Sequence, residues 1–161
     1  MVKILNRELM NSPKIRDIRV IVTEPDGIRL VVVKILTDQD GLYGVGCATF
    51  TQRPIPVVKA ITDYLRPFLI GRSVIDIEDI WQSSYVSSYW RNGPVLNNAL
   101  SGVDQALWDI KGKMANMPLY DLLGGKAREA AAVYVHASGS SAEEVGCLLY
   151  TSDAADEWWC G

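Results

Sequence analysis

The sequence predicts an α+β domain that feeds into an α/β domain, and three observations carry that expectation. Two Val/Ile-rich runs joined by Pro25-Asp26-Gly27 stand near the N-terminus. An apolar stripe at helical spacing runs from Leu96 to Met114, and a short, nearly all-apolar run, AAAVYVHASG, follows it. Strands first, helices second and then a new buried strand is the element order of such a chain.

The strands come first. IRDIRVIVTE and IRLVVVKILTD are rich in β-branched residues. Between them Pro25 presets its own φ and Gly27 tolerates φ > 0, which makes the link a turn. A second turn, Asp38-Gln39-Asp40-Gly41, leads into LYGVGCATF, so residues 15–50 read as a three-stranded antiparallel meander. The middle strand is apolar on both faces around Leu30–Val33, which predicts cover on each side.

Helices follow. Val57, Val58, Ile61 and Leu65 recur at helical spacing, and Pro67 is expected to stop that helix. Ser73 and Asp76 read as the N-cap and acidic capping partner of a second helix, whose apolar face would be Ile77, Ile80, Trp81, Ser84 and Tyr85. In the third helix Leu96, Leu100, Val103, Leu107, Ile110 and Met114 step by 4, 3, 4, 3 and 4 residues, with the Asp109–Lys113 pair off the stripe. Asn116 suits a left-handed cap, and Pro118 opens a short helix that Gly124-Gly125 ends. The run over 131–137 reads as a buried parallel strand that delivers His136 to its carboxyl edge.

Composition narrows the classes of function. The 161 residues are 48% apolar and 22% charged, with a formal net charge of −3. That balance offers no basic field for a phosphate backbone, so no nucleic-acid partner is expected. No stretch approaches the roughly 18 apolar residues of a membrane span, and MVKILNRELMNSPKIRD lacks a signal peptide's apolar centre. Cys47, Cys147 and Cys160 are too few and scattered for a disulfide framework or a zinc site, which points to a reducing cytoplasm. GLYGVG contains a GxG, but no helix follows it, so it is not read as a dinucleotide loop. Cys47 reads as a small core or loop residue, and Asp104 and Asp109 as solvated or paired helix charges.

The stretch ALSGVDQALWDIKGKMANMPLYDLLGG carries Ala99, Ser101, Gly102, Asp104, Ala106-Leu107, Asp109, Gly112-Lys113, Pro118-Leu119 and Leu122-Leu123-Gly124. In that pattern the chain resembles the mandelate racemase/muconate lactonizing group of the enolase superfamily, over roughly residues 15–145. GLYGVGCATFTQR at 41–53 and EDIWQSSYVSSYWRNGPV at 78–95 resemble its mannonate-dehydratase-like branch, which includes proteins named for starvation sensing. On physical grounds alone the small residues Ala99, Gly102, Ala106 and Gly112 imply close helix packing, not chemistry.

The resemblance implies a plan. Residues 1–125 would form an α+β capping domain and 126–146 the start of a truncated (β/α) barrel domain, of which only the first strand is present. The barrel of such an enzyme holds Mg²⁺ on carboxylates. An acid/base residue takes the proton α to a sugar-acid carboxylate, the metal stabilises the enediolate, and a β-hydroxyl leaves. The parent protein would then be a hydro-lyase, an acid-sugar dehydratase of the D-mannonate or D-gluconate type giving 2-keto-3-deoxy-gluconate, cytoplasmic and homo-oligomeric. The alternative is a non-catalytic, starvation-sensing-like binding or regulatory protein of the same fold.

The resemblance also implies site residues. The segment around Glu24-Pro25-Asp26 and TFTQR at 49–53 would face substrate, with Thr51 and Gln52 as the polar contacts. SSYWRNGPV would bring Trp90 and Arg91 towards the ligand, as a rigid wall and a carboxylate partner. His136 would hydrogen-bond substrate hydroxyls. The plainer alternatives are solvated loop residues at 51, 52 and 91 and a packed Trp90. A mannonate dehydratase of the best-known type carries Asn where Thr51 stands, and an amide has both donor and acceptor at longer reach. Metal carboxylates and the acid/base pair would lie beyond the first barrel strand. No catalytic or metal-ligating residue is therefore expected in this chain, which would be inactive alone. CLLYTSDAADE at 147–157 is similar to the translated end of a transposase adapter used in sequencing libraries, so residues 147–161 are expected to be a non-native tail.

Overall fold

The computed structural model describes residues 12–133 and 139–153. The chain divides into two units, Met1–Gly125 and Lys126–Gly161. In the first, β1 (Ile15–Thr23), β2 (Leu30–Thr37) and β3 (Tyr43–Cys47) form the expected antiparallel meander in that order. The register sets Ile18 and Val20 opposite Ile35 and Val33, and Gly44 and Gly46 opposite the same two residues of β2. Ile18, Val31, Val33 and Ile35 are buried, which marks the core face. Both turns use left-handed backbone: Asp26 (φ 51°) and Gly27 (φ 76°) in the first, Gly41 (φ 79°) in the second. Asp26 can do so because Asp tolerates that region through its short polar side chain. Buried Thr37 closes the second turn, its Oγ1 donating to the Leu42 carbonyl (2.8 Å) and accepting the Gln39 N–H (3.2 Å).

Past Arg53 the chain is helical. α1 (Pro54–Lys59) widens into a π-helical stretch, Ala60–Leu65, and resumes as α2 (Arg66–Leu69). Pro67 therefore does not stop the helix, contrary to expectation. It sits in the first turn of α2, where a missing N–H is tolerated, and the wide turn ahead of it resets the hydrogen-bond ladder. Arg66 Nε donates to Asp17 Oδ1 (2.8 Å), pinning α2 to β1 and holding the Asp17 carboxyl below its usual range.

α3 (Ile77–Val86) begins after Asp76, with no side-chain cap. The expected capping role of Ser73 is corrected. Its Oγ pairs with Ser12 Oγ (2.7 Å) and accepts the Ile75 N–H (3.4 Å), while its backbone bridges Lys14, so it ties down the entry to β1. Trp81 and Tyr85 are half-buried and stack on each other, ring centroids 5.0 Å apart.

α4 (Pro94–Ala115) ends in the predicted left-handed Asn116, φ 50°. Leu100, Val103, Leu107 and Ile110 are buried, whereas Leu96 and Met114 at the stripe's ends are 43% and 44% exposed. The helix overhangs the sheet it crosses: 22 residues of helix span about 33 Å, and the five of β3 about 17 Å. α4 lies on β3 backbone to backbone. A Cβ on Gly44 would stand 1.9 Å from the Ala106 carbonyl oxygen, and one on Gly46 2.0 Å from that of Gly102. The same helix dresses the free edge of β3. Asp109 Oδ2 accepts the Val45 N–H (2.8 Å), Gln105 Oε1 accepts the Cys47 N–H (3.0 Å), and Lys113 Nζ donates to the Tyr43 carbonyl (2.8 Å). α5 (Leu119–Leu122) closes the unit between Pro118 and the left-handed Gly124 and Gly125.

Cover on both faces of β2 is not observed. Val31, Val33, Ile35 and Thr37 are buried, but Leu30, Val32, Lys34 and Leu36 are only half-buried. On that outer face Ile21 and Val45 are about half exposed and Lys34 Nζ lies 4.0 Å from the Tyr43 ring centroid. Neighbouring side chains of the sheet itself supply the partial cover.

In the second unit Ala131, Ala132 and Val133 are exposed and not in a strand. The rest of the strand expected over 131–137, with His136, lies outside the described residues. α6 (Ala142–Asp153) follows. Ser141 Oγ accepts the Glu144 N–H (3.2 Å), and Glu144 Oε2 accepts the Ser140 N–H (2.8 Å), a reciprocal cap that holds the Glu144 carboxyl below its usual range. The helix crosses position 147, where the adapter-like stretch begins.

Candidate functional site

The antiparallel meander brings two loops to one end of the sheet. β1 ends, β2 begins and β3 ends there, so the 24–29 turn and the 48–53 segment leave side by side. Glu24 pairs with Arg29 (3.3 Å) across the first loop. The second is pinned in steps. Ala48 N–H donates to the Val31 carbonyl (2.8 Å), and Val31 N–H donates to Thr49 Oγ1 (3.0 Å). Phe50 packs against the core, and the Arg53 N–H closes a turn on the Phe50 carbonyl (3.0 Å). Thr51 and Gln52 are the two central residues of that turn, half-buried and exposed respectively. Arg53 Nη1 bends back to the Gln52 carbonyl (2.7 Å).

α4 runs antiparallel to β3, since Gly44 meets Ala106 and Gly46 meets Gly102. Its N-terminus, and the 87–93 loop before it, therefore point towards the same end of the unit. Trp90 is 81% exposed and packs edge-on against Tyr89 (5.5 Å), so it is not the packed residue of the plainer alternative. The Arg91 guanidinium lies 5.6 Å from the Tyr85 ring centroid, and Tyr85 Oη donates to Asn92 Oδ1 (2.8 Å). Tyr89 (φ 61°) and Asn92 (φ 76°) hold left-handed backbone, unusual for a bulky Tyr. The loops directed to this end thus carry a hydroxyl, an amide and the guanidinium groups of Arg53 and Arg91. That set suits a polyhydroxylated carboxylate: hydroxyl and amide exchange hydrogen bonds with hydroxyls, and a guanidinium matches a carboxylate. His136 lies outside the described residues.

Arg91 also stands at the rim of a cleft of about 620 Å³, walled by Tyr64, Phe68, Tyr85, Leu96 and Leu100. Its walls are mostly apolar and do not match a sugar acid's hydroxyls. Spacing and composition do not show what two residues do here. Thr49 sits where a strand ends, the one position at which a hydroxyl can stand in for a ladder carbonyl. Asp104 is partly buried, not solvated or paired; burial and the nearby Glu78 charge push its carboxyl above the usual range.

That shift fixes a sign. With Asp104 raised in the folded state, folding takes up protons between the ordinary and the raised pKa, so this contribution to stability falls as pH rises through that window. Asp104→Asn should remove the fall and add about 0.5 kcal/mol at neutral pH, screened as the site is. Urea titrations of both proteins at pH 4 and 7 check it; a variant less stable than the parent at pH 7 would contradict it. Asp17 acts in the opposite sense, its contribution being lost as pH falls below the ordinary value.

Among the described residues no group of three or more His, Cys, Asp or Glu side chains could hold a metal ion. No helix among them is long and apolar enough to cross a membrane.

Comparison with known proteins defines the class. Residues 6–124 match the model of the mandelate racemase/muconate lactonizing enzyme N-terminal domain. A D-galactonate dehydratase family member from Enterococcus gallinarum is 58% identical over 151 residues, covering 94% of this chain and 37% of that protein. Another from Enterocloster bolteae is 65% identical over 136 residues, 84% of this chain and 34% of that one. The crystal structure of an enolase from Pantoea ananatis with bound D-gluconate and Mg superposes with a TM-score of 0.81 at 58% identity, over 88% of this chain and 34% of that one. The chain belongs to the mandelate racemase/muconate lactonizing enzyme family of the enolase superfamily, and its first unit is that family's N-terminal capping domain. It spans about a third of the length of the relatives it matches.

Proposed function

We propose that the chain is the capping part of a Mg²⁺-dependent acid-sugar dehydratase, a hydro-lyase of the D-gluconate or D-mannonate type. The observation that carries this is the gathering of the 24–29, 48–53 and 87–93 loops at one end of a cap whose 58%-identical relative binds D-gluconate and Mg. In this reading Thr51 and Gln52 hydrogen-bond substrate hydroxyls and Arg91 meets the carboxylate. Trp90 gives a rigid wall that keeps water from the reacting carbon, and His136 hydrogen-bonds substrate hydroxyls. Carboxylates beyond the described residues would hold Mg²⁺, which would supply positive charge beside the substrate carboxylate. Gluconate is favoured over mannonate by Thr51, which stands where a mannonate dehydratase carries the longer-reaching Asn. The parent is a cytoplasmic homo-oligomer in this proposal, and residues 147–161 are a non-native tail.

The test compares this 161-residue chain with a protein extended to the length of its relatives, each given Mg²⁺ and D-gluconate, D-mannonate or D-galactonate. The extended protein should release the 2-keto-3-deoxy acid and lose activity with EDTA; the short chain should not turn over. Sugar-acid binding by the extended protein without turnover would instead support the non-catalytic binding role.

A further inference from the structure

We infer that Thr49 is a positioning residue for the sugar-acid site, setting the height and angle of the Thr51–Gln52 turn through its hydroxyl. The inference rests on the proposed role of that turn. β3 ends at Cys47, and one residue on the chain leaves the sheet. At that point Val31 still needs partners for both backbone groups on its β3 side. Its carbonyl takes the Ala48 N–H (2.8 Å), but its N–H finds no strand carbonyl and goes to Thr49 Oγ1 (3.0 Å). The Thr49 hydroxyl thus replaces one rung of the ladder, and the backbone can turn away early without leaving a donor unpaired. Cys47 Sγ donates weakly to the same oxygen (3.1 Å), fixing its rotamer from the other side.

Two consequences follow for the turn. Thr51 and Gln52 lie between this latch and the start of α1, with only Phe50 and Arg53 as spacers, so they cannot shift without breaking one or the other. The latch also lands on the second residue of β2, immediately after the 24–29 loop. The hydroxyl therefore supplies the last of the β2–β3 links that hold the two substrate-facing loops in register with each other. A hydroxyl that only stabilised the fold would lower the fraction of active enzyme, and with it the apparent kcat, while the folded molecules kept their KM. One that positions two contacts remote from the reacting carbon acts mainly on KM.

The experiment uses the protein extended to the length of its relatives, with D-gluconate and Mg²⁺. Thr49→Val should raise KM roughly tenfold with kcat within about twofold, and Thr49→Ser, which keeps the oxygen, should restore it. Thr49→Ala is run alongside, so that poor folding of the Val variant leaves a hydroxyl deletion to read. Circular dichroism and the exchange rate of the Val31 amide are measured on each; loss of the oxygen should speed that exchange roughly tenfold. Thr51→Ala and Gln52→Ala separate the two layers. If they raise KM and the Thr49 deletions do not, the positioning role is overturned and the turn's role stands. If Thr51→Ala and Gln52→Ala leave KM unchanged, the role of the turn fails and the inference falls with it.

Discussion

Alanine at Gly46 should destabilise the capping unit by about 3 kcal/mol or more, the upper part of the range for overpacking. The new methyl would stand 2.0 Å from the Gly102 carbonyl oxygen and 2.8 Å from the Ala106 nitrogen. Overpacked cores usually relax by turning a side chain, but here both partners are backbone. Relief requires α4 to lift from β3, which loosens Val33, Ala106 and Leu107 together, all of them fully buried. Gly44→Ala should behave alike, its methyl falling 1.9 Å from the Ala106 carbonyl oxygen. Differential scanning calorimetry should show a midpoint lower by roughly 10 °C or more, on the usual scaling for a domain of this size. A midpoint within about 2 °C of the parent would mean that helix and strand are not in backbone contact.

Truncation of Leu107 to alanine is the next largest effect expected, about 2–5 kcal/mol, because its side chain is fully buried and the walls around it are held by the same backbone contact. Leu96→Ala is the matched comparison. It lies on the same predicted stripe, yet at 43% exposed it should lose under about 1 kcal/mol. Equal losses in chemical denaturation would contradict the orientation of α4.

These two predictions mark what was legible in the sequence. The stripe from Leu100 to Ile110 could be read from spacing alone, since a 3.6-residue period admits one buried face, and the small residues beside it did signal close packing. How close was not legible, because the partner glycines, Gly44 and Gly46, stand in a different element 56 to 62 residues away in sequence from Gly102 and Ala106. Leu96 and Met114 were misjudged because periodicity cannot tell where a helix outruns its sheet. Pro67 was misjudged because local rules assume a regular α-helix, and the π-helical stretch before it changes the ladder it would have broken. Of the site, Thr51, Gln52, Trp90 and Arg91 came from resemblance. The structure puts them on loops that leave one end of the unit, an arrangement that follows from chain reversal and no local pattern contains. Thr49 stayed invisible because its value depends on which strand runs out first.

The edge of β3 carries a consequence for how this protein would self-associate. Its outward Val45 and Cys47 N–H groups and Tyr43 C=O are taken by Asp109, Gln105 and Lys113, so a strand from another molecule finds its donors there already used. β1 is the opposite margin, tied near its start, where Ile15 meets Arg72 and Gly71 and Asp17 meets Arg66. Beyond that, Ile21 and Val22 are about half exposed. A sheet with one sealed margin and one open margin is polar in the sense of a growing crystal face. Aggregates of the isolated cap should add at β1 rather than β3, and a lysine at Ile21, or a proline at Val22, whose N–H faces away from β2, would keep it in solution.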